Sequence, residues 1–354
     1  MRFCARALAR ADPAGGGTDC PPFSVEHGGL VVNFGIARYV HALFEPLPAG
    51  QGVIVYSRDR NAGLSAASVA ALPAGCGIDF TRAFLQRLLP AEAACLLVTD
   101  SDVPEAAGLG GSAALGVAIT AAIDRARGIA RTPGALAELA NDVERTNLGA
   151  PGGSQDSYGA ALGGANRIEY QQGGGTSHHP IRMAGETVLR LERDSLLVYT
   201  GGAHVSGSIH DDIRRSYATE RSPAKAAMVG LREEAFRMAE ALERGDIPGY
   251  ARAMNQCRFH HYALHESCDS PTLRGYFEAL EHLILGGKTC GAGGGGFILL
   301  CAKPDRRREC IRAAEGMGGL VWPLKFDWDG VKSWDEPATA PQELQELRAH
   351  VTRS

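Results

Sequence analysis

The chain is 354 residues long, enough for one large or two medium domains that each bury an apolar core. Hydrophobic residues make up 45% and charged residues 21%, ordinary globular usage that excludes a disordered or a fibrous chain. A net charge of −4 with no long basic run gives no electrostatic basis for binding nucleic acid or an anionic membrane surface.

The N-terminal MRFCARALARAD lacks a sustained apolar core, and no apolar run approaches the ~18–20 residues of a membrane span. A cytoplasmic protein is expected. Nine cysteines contain no C-x-x-C pair, which fits free and mostly buried thiols. Cys257, His261, His265 and Cys268 have near-helical spacing that could put metal donors on one helix face, although no tight zinc motif is present.

In chain order, ARALARADPA (5–14) reads as a strand entering a glycine run. The β-rich stretches 31–36, 39–44 and 52–57 follow, then an amphipathic helix over 79–89, a strand at 96–100 and helices at 112–127 and 133–146. The glycine-rich stretch 148–164 reads as a loop, after which strands are expected at 166–170, 187–191 and 195–200. Helical patterns cover 223–244, 248–264 and 271–284, and a buried strand (295–302), a helix (304–316) and a last strand (318–326) complete the order. This is an α+β sequence of elements in two units, 1–185 and 186–354.

Four stretches could carry chemistry. Ala14 to Asp19, AGGGTD, sets a carboxylate behind three glycines, where an Asp also serves as a plain turn residue. PEAAGLGGSAALGV places a glycine loop directly before an apolar helix start, where unpaired amides and the helix dipole favour an anion such as phosphate. A tight strand-to-helix turn is the plainer alternative. In ERTNLGAPGGSQDSYGAALGG, Glu144 and Asp156 stand twelve residues apart around a second glycine loop. One carboxylate could hold Mg²⁺ while the other takes a proton from an attacking hydroxyl. KTCGAGGGGFILL (288–300) runs four glycines into a strand, either as an anion nest or to let another loop approach. Gly108, Gly110 and Ala113 also satisfy a dinucleotide pattern, but Ser101 to Ala107 separates them from the preceding strand and no βαβ succession follows.

The ordered set AGGGTD, P-x-x-x-G-L-G-G-S-A-A (104–114), E-R-x-x-L-G-x-x-G-G-x-Q-D-x-Y (144–158) and GAGGGGF (291–297) resembles the GHMP kinase superfamily. Within it the AGGGTD start is similar to the branch of D-glycero-D-manno-heptose 7-phosphate kinases and L-fucose kinases. The similarity runs from about residue 5 to residue 334.

The resemblance implies an N-terminal domain like ribosomal protein S5 domain 2, a ferredoxin-like C-terminal domain, and ATP with Mg²⁺ in the cleft between them. It implies that the backbone of Gly108, Leu109, Gly110, Gly111, Ser112 and Ala113 cradles the triphosphate, with Ser112 and Glu144 as Mg²⁺ ligands. Asp156 would be the catalytic base and Arg10 its basic partner. Asp19, Gly17, Thr18, Gly153, Gln155, His204, Gly293 and Gly294 would surround the sugar. The implied partners are ATP and a small sugar or sugar phosphate, the implied assembly a monomer or homodimer. A heptose or heptose 7-phosphate phosphorylated at C1 is the leading expectation; another sugar, or a regulator without turnover, are the alternatives.

The chain departs from the family pattern in places. Leu8 stands where a proline is usual, Gly111 where a first Ser is common, and His204 and His261 where heptose-phosphate kinases tend to carry Arg and Lys. A neutral histidine in place of a cation fits a substrate without a distal phosphate, or a position that faces solvent.

Overall fold

The computed structural model describes residues 1–149, 152–201, 206–219 and 222–351. Its first strand is long because small and branched apolar side chains alternate with Arg6 and Arg10, and sheet and helix cover it on both faces.

The strands run in chain order as β1 (Arg2–Ala14), β2 (Gly29–Pro46), β3 (Val53–Ser57), β4 (Ala62–Ala66), β5 (Cys95–Ser101), β6 (Ala165–Tyr170) and β7 (Thr176–Pro180). They continue as β8 (Ser195–Tyr199), β9 (Ile284–Thr289), β10 (Phe297–Ala302), β11 (Leu320–Pro323) and β12 (Lys332–Glu336). One sheet has the order β12-β1-β2-β5-β3-β4, with β6 and β7 extending it from the other half of β2. All its pairings are antiparallel except β3 with β5. The second sheet is antiparallel, β11-β8-β10-β9.

The helix Gly111–Ala126 lies across β1 and β2 and is buried almost all round, which its Ala, Val and Ile content allows. Gly116 permits the contact: a Cβ there would sit 2.5 Å from the Phe84 ring of the helix Asp79–Leu88. The helices Ala224–Glu243 and Ile247–Tyr262 pack as a pair, the second started by Asp246, whose side chain accepts the Gly249 N–H at 2.9 Å. After the second sheet the chain returns to the first through β12, and Leu344, Leu347 and Val351 of the helix Pro341–Val351 pack on Ile54, Leu96 and Val98.

Several sequence expectations change. Residues 187–191 are not a strand but part of the helix Gly185–Asp194. T-V-L-R-L opens on two β-branched residues, yet the buried positions are Thr187, Leu191 and Asp194, while Leu189 is 68% exposed; spacings of four and three are those of a helix face. The stretch read as a loop contains the helix Gln155–Leu162. Stretches 31–36 and 39–44 form one strand, β2, continuous across Ala37 and Arg38, with a register shift opposite Leu8 and Ala9. The helix from Pro271 stops at Leu280, because Ile284 onward pairs with β10. Cys257 and His261 lie on a helix that ends at Tyr262, so His265 and Cys268, in the next turn, do not share its face. No helix among the described residues is long and apolar enough to cross a membrane.

Candidate active site

β1 carries Arg10 into the interior and then turns through Gly15–Gly17, returning Asp19 to the same place. Thr18 holds the turn shut: its hydroxyl donates to the Gly15 carbonyl at 2.8 Å and accepts the Leu30 N–H at 3.1 Å. Thr18 is fully buried, whereas Gly17 and Asp19 line the cleft. One Asp19 oxygen accepts the Gly17 N–H at 3.1 Å, and the other accepts the Gln155 N–H at 3.1 Å. Gly153 makes room for it, since a Cβ there would lie 2.0 Å from Asp19 Oδ2.

Asp156 projects from the first turn of the helix Gln155–Leu162, which Asn33 anchors by donating to the Gln155 carbonyl at 2.9 Å. Its Oδ1 accepts Arg10 Nε at 2.8 Å and lies 2.7 Å from Nη2, and the Gln155 amide also donates to it. Arg10 Nη1 donates to the Gly108 carbonyl, and the Arg10 N–H donates to the Leu109 carbonyl at 2.9 Å. One arginine therefore joins the glycine loop to the acidic helix start.

Gly108 and Gly110 have φ of 80° and 71°, a left-handed turn that suits glycine. The first helical bond runs from the Ala114 N–H to the Gly110 carbonyl at 3.0 Å, so the amides of Gly111, Ser112 and Ala113 precede the ladder and lack intrahelical partners. The side chains of Leu109 and Ala113 are buried in the core; these residues contribute backbone to the loop.

The Ser112 hydroxyl lies 3.4 Å from Glu144 Oε1. Burial, then the charge of Asp156, pushes the Glu144 carboxyl up to about 7. Burial likewise raises Asp19 to about 6, again with a contribution from Asp156. Burial works to lower the Arg10 pKa, but Asp156 and Asp12 outweigh it and raise it. Asp19, Glu144 and Asp156 thus face one cleft with the Arg10 guanidinium on Asp156, and hard oxygen donors at Ser112 and Glu144 suit Mg²⁺. Among the described residues no group of three or more His, Cys, Asp or Glu gathers as a metal site.

These side chains line one cleft of about 450 Å³. Its far end is apolar, walled by Val55, Ile78, Phe80 and Leu115, with the ion pair Arg60–Glu105 at 2.5 Å beside it. Nothing in the motifs points to that wall, because its residues meet only through the β3–β5 pairing and the helix Asp79–Leu88. Gly291 and Ala292 reach the cleft, but Gly293 and Gly294 are not among its lining residues. Gly294 N–H donates to the Cys268 carbonyl at 3.0 Å, and a Cβ at Gly293 would meet that carbonyl at 2.5 Å, so these glycines admit a neighbouring loop. His204 lies outside the described residues. His261 lines the cleft while almost fully buried, and burial, then Lys288, pushes it down to about 3. His210, which carried no sequence signal, lines the cleft too; burial lowers its pKa.

A glycine loop at a helix start, a carboxylate pair and an Arg–Asp contact meet in one cleft, an arrangement that suits phosphoryl transfer. Residues 78–164 match the family of the GHMP kinases N terminal domain. The chain is 29% identical over 326 residues, 91% of this chain and 95% of the relative, to the D-glycero-alpha-D-manno-heptose 7-phosphate kinase of Campylobacter jejuni. Over 87% of this chain but 35% of the relative, it is 27% identical to the L-fucokinase/L-fucose-1-P guanylyltransferase of Bacteroides fragilis. The crystal structure of a D-glycero-D-manno-heptose 1-phosphate kinase from Bacteroides thetaiotaomicron superposes with a TM-score of 0.79 at 26% identity, covering 95% of this chain and 100% of that one.

Proposed function

We propose that the protein is an ATP- and Mg²⁺-dependent sugar kinase that phosphorylates the anomeric hydroxyl of a heptose or heptose 7-phosphate. The single observation carrying this reading is that Arg10 bonds both the Gly108 carbonyl of the glycine loop and the Asp156 carboxylate. A phosphoryl donor on the loop and a hydroxyl at Asp156 are then within one side chain of each other.

In this reading Asp156 accepts the proton of the C1 hydroxyl, and Arg10 holds it in place and offsets charge developing on the transferred group. Gln155 orients Asp156 through its amide. Asp19, beside Gly17 and Gly153, accepts hydrogen bonds from other sugar hydroxyls, and the buried Thr18 keeps that turn in place. The amides of the 108–113 loop and the dipole of the following helix receive the phosphates. Mg²⁺ held by Ser112 and Glu144 would neutralise phosphate charge, as in phosphoryl transfer generally. Gly293 and Gly294 serve by seating the turn that brings Gly291 and Ala292 to the cleft. The chain divides near residue 185, with 332–351 returning to the first unit, and works in the cytoplasm where ATP is supplied.

His261 favours a second reading, a sugar without a terminal phosphate, because its imidazole is held neutral where it faces the cleft. The test is ADP release and product NMR with C7 and C6 sugars, each with and without a terminal phosphate. Release with a heptose or its 7-phosphate, and a new C1 phosphate, is expected; no release above background with any sugar overturns the proposal.

A further inference from the structure

At the floor of the cleft lies a second charged pair, Asp12 lining it and Lys288 behind. Lys288 of β9 is almost fully buried and spends its three ammonium protons on the Asp12 carbonyl at 2.7 Å, Asp12 Oδ2 at 3.1 Å and the Thr289 carbonyl at 2.7 Å. Asp12, on β1 and also buried, accepts the Gly291 N–H on Oδ1 at 2.8 Å, and that same oxygen lies 3.9 Å from Arg10 Nη1. Gly16 leaves space for this carboxylate: a Cβ there would be 2.5 Å from Asp12 Oδ2.

We propose that Asp12 and Lys288 are positioning residues that fix the Arg10 guanidinium against Asp156 and tie the Gly291 turn to the floor of the cleft. The charges alternate in space as Lys288, Asp12, Arg10, Asp156, two positive and two negative. Arg10 presents its Nε and Nη2 edge to Asp156, while Nη1 faces the Gly108 carbonyl and Asp12. Turning the guanidinium would break contacts on both sides at once. Lys288 has no proton left to give and does not line the cleft, and Asp12, although it lines the cleft floor, has both oxygens taken within the protein.

A buried ion pair is a weak device for stability, because desolvating both charges costs about what their attraction returns and an apolar pair of similar volume often does as well. Its place beside Arg10, joining β1 to β9 across 276 residues of chain, is what gives it a function. Removing one partner alone leaves a buried charge uncompensated and threatens the fold; removing both does not.

This role rests on the kinase reading above. The test compares Asp12→Asn, Lys288→Met and the double variant with the full-length protein, with Arg10→Lys as reference. In the double variant the thermal midpoint is expected to return to the wild-type value while kcat stays roughly 10- to 100-fold low, as for other residues that orient a catalytic group. KM for ATP and sugar should stay within about twofold, the signature of an interaction used in the transition state and not in binding. A double variant that regains kcat together with its midpoint overturns the proposal. A second readout needs no turnover: the Arg10 Nε–H resonance, assigned by its loss in Arg10→Lys, should exchange slowly in the wild type and rapidly in the double variant. If the wild type releases no ADP with any sugar, the kinase reading fails and this resonance decides the inference, with unchanged slow exchange in the double variant overturning it.

Discussion

Arg10 Nη2 lies 2.7 Å from Asp156 Oδ1, joining a residue of the first strand to a helix start 146 residues later. The pair is asymmetric: the guanidinium is almost fully buried, and the carboxylate is a third exposed, facing the cleft. That is the arrangement of a base whose partner is fixed and whose free face meets a substrate. Asp156→Asn should lower kcat by about 10²- to 10⁴-fold, the usual range for a positioned acid or base, with ATP binding retained. Steady-state kinetics with calorimetric ATP titration checks both halves.

Asp19 makes stability fall as pH rises. Its folded pKa is about 6 against an ordinary 3.8, because burial and Asp156 disfavour the charge. The folded state therefore binds the proton more tightly than the unfolded state. The contribution is complete below 3.8 and is lost as pH climbs through about 6, an effect on the order of 3 kcal/mol. Glu144, raised from 4.5 to about 7, acts in the same direction over a slightly higher window. Denaturant unfolding of the ligand-free protein at pH 4, 5, 6 and 7 should show the decline, and Asp19→Asn should flatten its lower part.

Metal binding should reverse that penalty at Glu144. With its pKa near 7, the carboxyl must lose a proton to hold Mg²⁺. The thermal midpoint gained from Mg²⁺ with ATP should thus be larger at pH 8 than at pH 6. Glu144→Gln should remove this difference and raise the Mg²⁺ concentration for half-maximal ADP release roughly 10- to 100-fold.

Gly108→Ala tests the loop. At φ 80° a side chain is strained, and its Cβ would meet the Cys290 carbonyl at 2.6 Å, backbone that has no room to yield. We expect a loss of about 1–3 kcal/mol of stability together with a higher KM for ATP. Gly110→Ala, whose Cβ would only approach Arg10 Cγ at 3.1 Å, should cost less stability while disturbing the guanidinium.

Much of this site was legible because its signals are local. Glycines before an apolar helix announce unpaired amides wherever the helix ends up, and the order of AGGGTD, GLGGS and GGSQD needed no coordinates to be read. The stretch around Gln155 reads as a loop in the sequence because Gly152 and Gly153 hide the helix that carries Asp156. At 187–191 a short β-branched and apolar run imitates a strand, since five residues are too few for periodicity to separate strand from helix. His210 and the apolar wall of Val55, Ile78 and Phe80 had no signal, being ordinary residues that the fold brings to the cleft.

The amino-acid sequence by itself determined the glycine turns, the start of the helix Gly111–Ala126 and the carboxylates of the glycine-rich stretches, because backbone freedom and end-of-helix polarity depend on neighbours in the chain. Only the tertiary structure decided which charges meet: that Arg10 faces Asp156, that Asp12 takes Lys288 from 276 residues away, and that Asp19 and Glu144 share a volume that raises both their pKa values. Charge interactions act through space and burial, and neither distance nor burial is written in the spacing of residues along a chain.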